Sequence, residues 1–137
     1  MRDGERVYDL GTGAGFPGVL FAIRYPEIPI ILYEKLAKKR VFLEDVIAKL
    51  ALDNVTLEET MPPKRLKGLF MARAVYQMPE LLDYMSKHLS DGARLILNRG
   101  GDTDFPALPS DFKLLQTNRY TLPLECGSRH VDSLQKI

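Results

Sequence analysis

The stretch Val7-Tyr8-Asp9-Leu10-Gly11-Thr12-Gly13-Ala14-Gly15-Phe16-Pro17-Gly18 constrains the fold more than any other part of the chain. A short apolar run closes on an acid, a glycine-rich turn follows, and Pro17 suits the first position of a helix. Three glycines at alternate positions let the backbone reach positive φ and approach a ligand closely. Strand, turn and helix in that order open an α/β domain, and such a turn is built to hold something.

The acid and the glycine spacing narrow what it holds. A dinucleotide fingerprint is Gly-x-Gly-x-x-Gly with a pyrophosphate at the helix N-terminus, where a neighbouring carboxylate would repel it. Here the order is Asp-x-Gly-x-Gly-x-Gly, with Asp9 two residues before Gly11. A carboxylate there suits a cationic, phosphate-free ligand such as S-adenosylmethionine. A second apolar run, Ile30-Ile31-Leu32-Tyr33, stops at Glu34, about 20 residues after the turn, as expected of an acid that accepts ribose hydroxyls. An ordinary glycine turn, or a strand-end acid facing water, is the plainer alternative for each feature taken singly.

The remaining chain alternates strand and helix. Helix is expected from Pro17 to Arg24, strand from Pro29 to Glu34, amphipathic helix from Ala37 to Leu52, strand from Asn54 to Leu57, and a break at Met61-Pro62-Pro63. Strand Gly68 to Val75, helix Pro79 to Leu89 and strand Leu95 to Asn98 follow, then two strands over 111–122 and 129–137. The predicted fold is α/β and Rossmann-like: a mostly parallel sheet with helices on both faces and an antiparallel closing strand, all in one domain, 1–137. Ligands of such sheets bind beyond the carboxyl ends of the strands, where Asp9, Glu34, Pro62, Arg73 and Asn98-Arg99 all fall.

Composition removes several classes. No apolar run is long enough to span a membrane. The N-terminus lacks the apolar core of a signal peptide. One cysteine, Cys126, with His88 and His130 far apart, points to neither a disulfide framework nor a metal site. A cytoplasmic monomer is expected. The net charge of +1 is silent about partners, since a local basic patch can bind nucleic acid on a neutral protein. Lys35, Lys38, Lys39 and Arg40, with Lys64, Arg65 and Lys67 beyond, supply such a patch, or else a solvated face. Basic charge at a helix start opposes the macrodipole and so asks for another reason to be there.

Asp9-Leu10-Gly11-x-Gly13-x-Gly15-Phe16-Pro17-Gly18, Leu36-Ala37-Lys38-Lys39-Arg40-x-Phe42-Leu43, Arg73-Ala74 and Arg129-His130 together resemble the bacterial small-subunit ribosomal RNA guanine-N7 methyltransferases, also called glucose-inhibited division protein B. The resemblance implies methyl transfer from S-adenosylmethionine to N7 of a guanine in ribosomal RNA, free or in the small subunit. It also implies cofactor contacts from Asp9, Gly11, Gly13, Gly15, Phe16 and Glu34, and from Pro62 and Pro63 through backbone. Arg73 would lie at the boundary of cofactor and substrate as the catalytic-site arginine, and Lys38, Lys39 and Arg40 would touch RNA. Two departures stand out: Met61-Pro62-Pro63 replaces a basic-acidic stretch of the family, and the chain begins just ahead of the motif, as in a short form lacking the family's N-terminal helical segment. A methyltransferase with another substrate, a cofactor-binding module without catalysis, and a nicotinamide or flavin enzyme are the alternatives, the last opposed by Asp9.

Overall fold

A computed structural model describes residues 4–73, 77–100, 107–123 and 126–137. Ala74, Val75 and Gly101, expected in or beside strands, lie outside them. The elements are β1 (Val7–Leu10), α1 (Gly18–Arg24), β2 (Ile30–Tyr33), α2 (Ala37–Lys49), β3 (Val55–Glu58), β4 (Leu69–Arg73), α3 (Met78–His88), β5 (Arg94–Gly100), β6 (Phe112–Thr121) and β7 (Ser128–Lys136). They build one seven-stranded sheet in the order β3-β2-β1-β4-β5-β7-β6. The first five strands run parallel, and β7 enters antiparallel between β5 and β6. The chain moves outward from β1 to β3, then returns to β4 on the other side of β1. That reversal makes a crevice at the carboxyl ends of β1 and β4.

Strand position explains strand composition. β1 is buried at all four residues and β4 at its first four, which is why both read as unbroken apolar runs. Val7, Ile30, Leu32, Leu69 and Met71 point to one face, where they meet Val19 and Ala22 of α1 and Leu43 of α2. Tyr8, Leu10, Phe70, Ala72, Leu95, Leu97 and Leu134 point to the other and meet Leu81, Leu82 and Met85 of α3. Two cores, back to back, thus fix the central strands from both sides.

Several expectations change in detail. Helix α1 begins at Gly18, with Pro17 in the capping position and its peptide bond to Phe16 cis. Helix α2 stops at Lys49, and its buried seam is Leu43 with partly buried Val46 and Ile47; Val41, Phe42 and Leu50 of the expected stripe are exposed. Strand β5 continues through Arg99 to Gly100, because β7 supplies hydrogen-bonding partners along its whole length. Cover on both faces does not reach β6, where every residue after Phe112 is exposed.

Candidate active site

The site starts from Asp9. Its carboxylate, 1% exposed, accepts from the Thr12 hydroxyl at 2.6 Å and the Gly18 amide at 2.8 Å, both at Oδ2. The Gly18 amide is one of the donors a helix leaves unpaired at its start, so Asp9 caps α1 from across the turn. Gly18 has no room for more: a Cβ there would lie 2.7 Å from Asp9 Oδ2 and 2.3 Å from Leu32 Cδ2. Oδ1 is buried without a partner, and burial raises the carboxyl pKa above 3.8 against the lowering effects of Thr12, Gly18 and Arg73. The structure therefore seats Asp9 beneath the turn as its brace, with its charge close behind the ligand crevice. A phosphate is unwelcome at a helix start already filled by a carboxylate.

Above that brace, Gly11 and Gly13 hold φ of 61° and 65°, a region open to glycine at no steric cost. The Gly13 amide donates to Glu34 Oε2 and the Leu36 amide to Glu34 Oε1, each at 3.0 Å. Glu34 is thereby locked at the end of β2, 6% exposed, by two amides from different segments. Each oxygen keeps a further lone-pair site. Arg40 completes this corner by donating to the carbonyls of Glu34 at 2.9 Å and Lys35 at 2.6 Å, while its guanidinium lies 3.4 Å from Glu59. This is the reason a cation sits in the first turn of α2 against the macrodipole.

A cavity of about 440 Å³ opens along this rim. Leu10 at the end of β1 and Gly11 after it, Tyr33 at the end of β2 and Glu34, Lys35 and Leu36 after it, Lys39 of α2, Glu59, Thr60 and Met61 after β3, Arg73 of β4 and Tyr84 of α3 line it. Its size falls in the range of small-molecule and cofactor sites. Tyr33 contributes a phenol whose pKa is pushed up to about 12 by burial and by Tyr8, Glu58 and Tyr84, so it stays protonated at neutral pH. Arg73 is exposed, and no carboxylate among the described residues forms an ion pair with it.

The cavity thus brings together Gly11, Glu34 and Arg73 of the expected contacts. Asp9 and Gly13 stand behind it. Gly15 is buried against Val19 and Leu43, where a Cβ would meet Val19 Cγ2 at 2.6 Å. Phe16 is 44% exposed and lies outside the lining. Pro62 lines an adjoining groove with Tyr8, Ile31 and Tyr33, and Pro63 faces solvent. Of the basic run, Lys38 and Lys39 are exposed, whereas Arg40 is the inward clamp just described. Sequence reasoning missed Tyr84, Thr60 and Met61 as site residues. Tyr84 is carried in from a helix with no motif, while Met61 was legible only as part of the chain break after the third strand.

The donor set fits S-adenosylmethionine. A fixed carboxylate with spare acceptor capacity suits ribose hydroxyls, and Asp9 and Glu34 put negative charge near a cationic ligand.

A family model described as GidB, rRNA small subunit methyltransferase G, matches residues 1–124. The chain is 31% identical to ribosomal RNA small subunit methyltransferase G of Colwellia psychrerythraea, covering 98% of this chain and 68% of that protein. It is 36% identical to the Chlorobium phaeobacteroides protein of the same name over 73% of this chain and 46% of that one. The chain therefore spans about half to two thirds of the length of such relatives. Among solved structures, TrmN from Thermus thermophilus superposes with a TM-score of 0.75 at 19% identity, covering 98% of this chain and 44% of that one. A mutant of MtNAS in complex with S-adenosylmethionine gives 0.75 at 16% identity, covering 99% and 56%. These two show a shared fold. The family model and the curated relatives together show that the chain belongs to the rRNA small subunit methyltransferase G family.

Proposed function

We propose that this chain transfers a methyl group from S-adenosylmethionine to N7 of a guanine in small-subunit ribosomal RNA. The observation that carries the proposal is the rim cavity itself, walled by the amide-locked Glu34 on one side and Arg73 on the other, in a chain of this family. When bound, the cofactor supplies an electrophilic methyl group. Glu34 would accept from the ribose hydroxyls, the Gly11 turn would let backbone approach the ligand, and Met61 with the backbone at Pro62 would flank the base.

Guanine N7 carries an exposed lone pair on its major-groove edge, so no general base is needed. What the protein must provide is orientation and a matched field. Arg73 suits that role because it can donate to guanine O6 or a phosphate while N7 stays free to attack. It is a positioning residue at the boundary of the two ligands. Lys38 and Lys39 are free to meet the phosphate backbone. The protein would act in the cytoplasm as a monomer.

The test is methyl transfer from labelled S-adenosylmethionine to small subunits and to naked small-subunit transcript, alongside transcript made with 7-deazaguanosine. Label in native RNA but none in the deaza transcript is expected. Equal labelling of both, or calorimetric binding of NAD in place of S-adenosylmethionine, overturns it.

A further inference from the structure

The cofactor cavity occupies the β3-β2-β1-β4 half of the rim and leaves the β5-β7-β6 half without an assigned role. That half has a distinctive surface. Arg73 pairs in register with Asn98, Asn98 with Val131, and Val131 with Asn118, so the four form one row on one face of the sheet. With strands about 4.8 Å apart, this row runs roughly 14 Å outward from Arg73. Two residues further toward the carboxyl end of β5 lies a parallel row on the same face, Gly100, Arg129 and Tyr120.

Apart from Ile96 on β5, neither core reaches this face of β5, β7 and β6. Tyr120 is 46% exposed and Asn118 is exposed. The Arg129 guanidinium lies across Gly100, with Cζ and Nη1 both 3.7 Å from where a Cβ would stand, so a side chain branching beyond Cβ there would crowd it. Arg129 Nη1 donates to the Ser128 carbonyl, and no carboxylate among the described residues pairs with it. On this face β6 and β7 carry Lys113 and Arg129 and no acid, because Asp132 lies on the opposite face and is fully buried.

We propose that this face, from Arg73 across Asn98 to Arg129 and Tyr120, is the track that holds the RNA strand flanking the target base. The proposal rests on the methyltransferase function above and gives its substrate a docking surface. Charge complementarity selects the occupant: an unpaired guanidinium beside an exposed aromatic ring, on a polar sheet surface, matches phosphate and unstacked bases together. Bases stack on tyrosine rings and guanidinium planes irrespective of sequence, so the track would grip and orient while Arg73 addresses the target.

The test compares the parent chain with Arg129→Ala, Tyr120→Ala, Gly100→Val and Arg129→Lys in binding a small-subunit ribosomal RNA transcript over a salt series, with S-adenosylmethionine titrated into each protein. About tenfold weaker RNA binding is expected for the first three, with unchanged cofactor affinity and melting. Arg129→Ala alone should flatten the dependence of log K on log salt by about one unit, and Arg129→Lys should restore that slope. Variants that keep parental RNA affinity while the parent methylates overturn the track and leave the activity standing. A parent that methylates nothing yet loses RNA through these substitutions overturns the activity and keeps the track. A parent that binds no RNA overturns both, and a dimer in sedimentation broken by Tyr120→Ala assigns this face to a second copy and overturns the track.

Discussion

At the scale of single residues, Glu34 does two things with one carboxylate. It ties the glycine turn to the start of α2 through the Gly13 and Leu36 amides, and it presents acceptor sites to the cavity. Substitution should separate these roles. Glu34→Gln keeps one acceptor oxygen but loses the charge, whereas Glu34→Ala leaves both amides without it. Calorimetry should show at least tenfold weaker S-adenosylmethionine binding for the glutamine variant, about 1.4 kcal/mol, with the alanine variant weaker still. Unchanged affinity in the alanine variant would remove Glu34 from the site. Asp9 predicts a pH effect. Its folded-state pKa is raised, chiefly by burial, so the native state holds a proton that the unfolded chain gives up near 3.8. Stability therefore falls as pH rises from 3.8 through the folded value and is flat above it. Asp9→Asn should abolish that decline in urea titrations across the window, and a decline that persists would assign it to another group. Both acids were legible in the sequence because they end apolar runs. Which of them lines the cavity was not, because the direction of a side chain at a turn depends on where the next helix starts.

At the scale of elements, helix α1 is held by buried Val19 and Ala22 and also by a side chain from the loop before β3. The Asn54 amide nitrogen donates to the carbonyls of Ala22, Tyr25 and Ile28, at 3.2, 3.1 and 3.0 Å, and so ties the end of α1 to the start of β3. Asn54→Ala removes these donors from carbonyls in a half-buried corner. It should cost about 1–3 kcal/mol in equilibrium unfolding while leaving exchange by local opening of β6 unchanged. A cost under a few tenths would show that water replaces the amide. Nothing around Asn54 signalled this, since its partners lie 26 to 32 residues away. The last strand was expected over 129–137 and forms, but its place was not legible: for all the polarity of Asp132 and Ser133, β7 lies between β5 and β6 with Asp132 fully buried. Arg99 Nε and the Thr117 hydroxyl from the two flanking strands donate to Asp132, which satisfies a charge that sequence alone shows only as a polar interruption. Parallel strands and their order of appearance were readable from apolar runs. The insertion of β7 was not, since register and neighbour choice are long-range properties.

At the scale of the molecule, the sheet has two ends with different chemistry. The β3-β2-β1-β4 end is packed by α1, α2 and α3 and carries the cavity, while β6 is an edge strand exposed from Lys113 to Thr121. Ligand binding stabilises only the native state, by about 2.7 kcal/mol at a ligand concentration of 100 Kd, but its local effect falls on the segments it orders. Amides that exchange by local opening near the cavity should slow with S-adenosylmethionine: Gly11, Gly13 and the Glu34 to Leu36 corner, whose hydrogen bonds converge on Glu34. The amides of β6 either bond to β7 alone or face solvent on the open edge, and they open without disturbing either core, so the cofactor should leave their exchange unchanged. Small-subunit RNA should produce the reverse pattern, slowing exchange around Tyr120 and Arg129 while the Gly11 turn responds to the cofactor alone. Hydrogen-exchange mass spectrometry with each ligand separately and then together reads both patterns in one protein. If the cofactor protects β6 as strongly as the glycine turn, the sheet opens as a single cooperative unit, and the division of labour between its two ends is wrong. If each ligand protects its own end and the two together add, the sheet is a rigid ruler that sets the distance from RNA track to methyl donor without coupling their affinities.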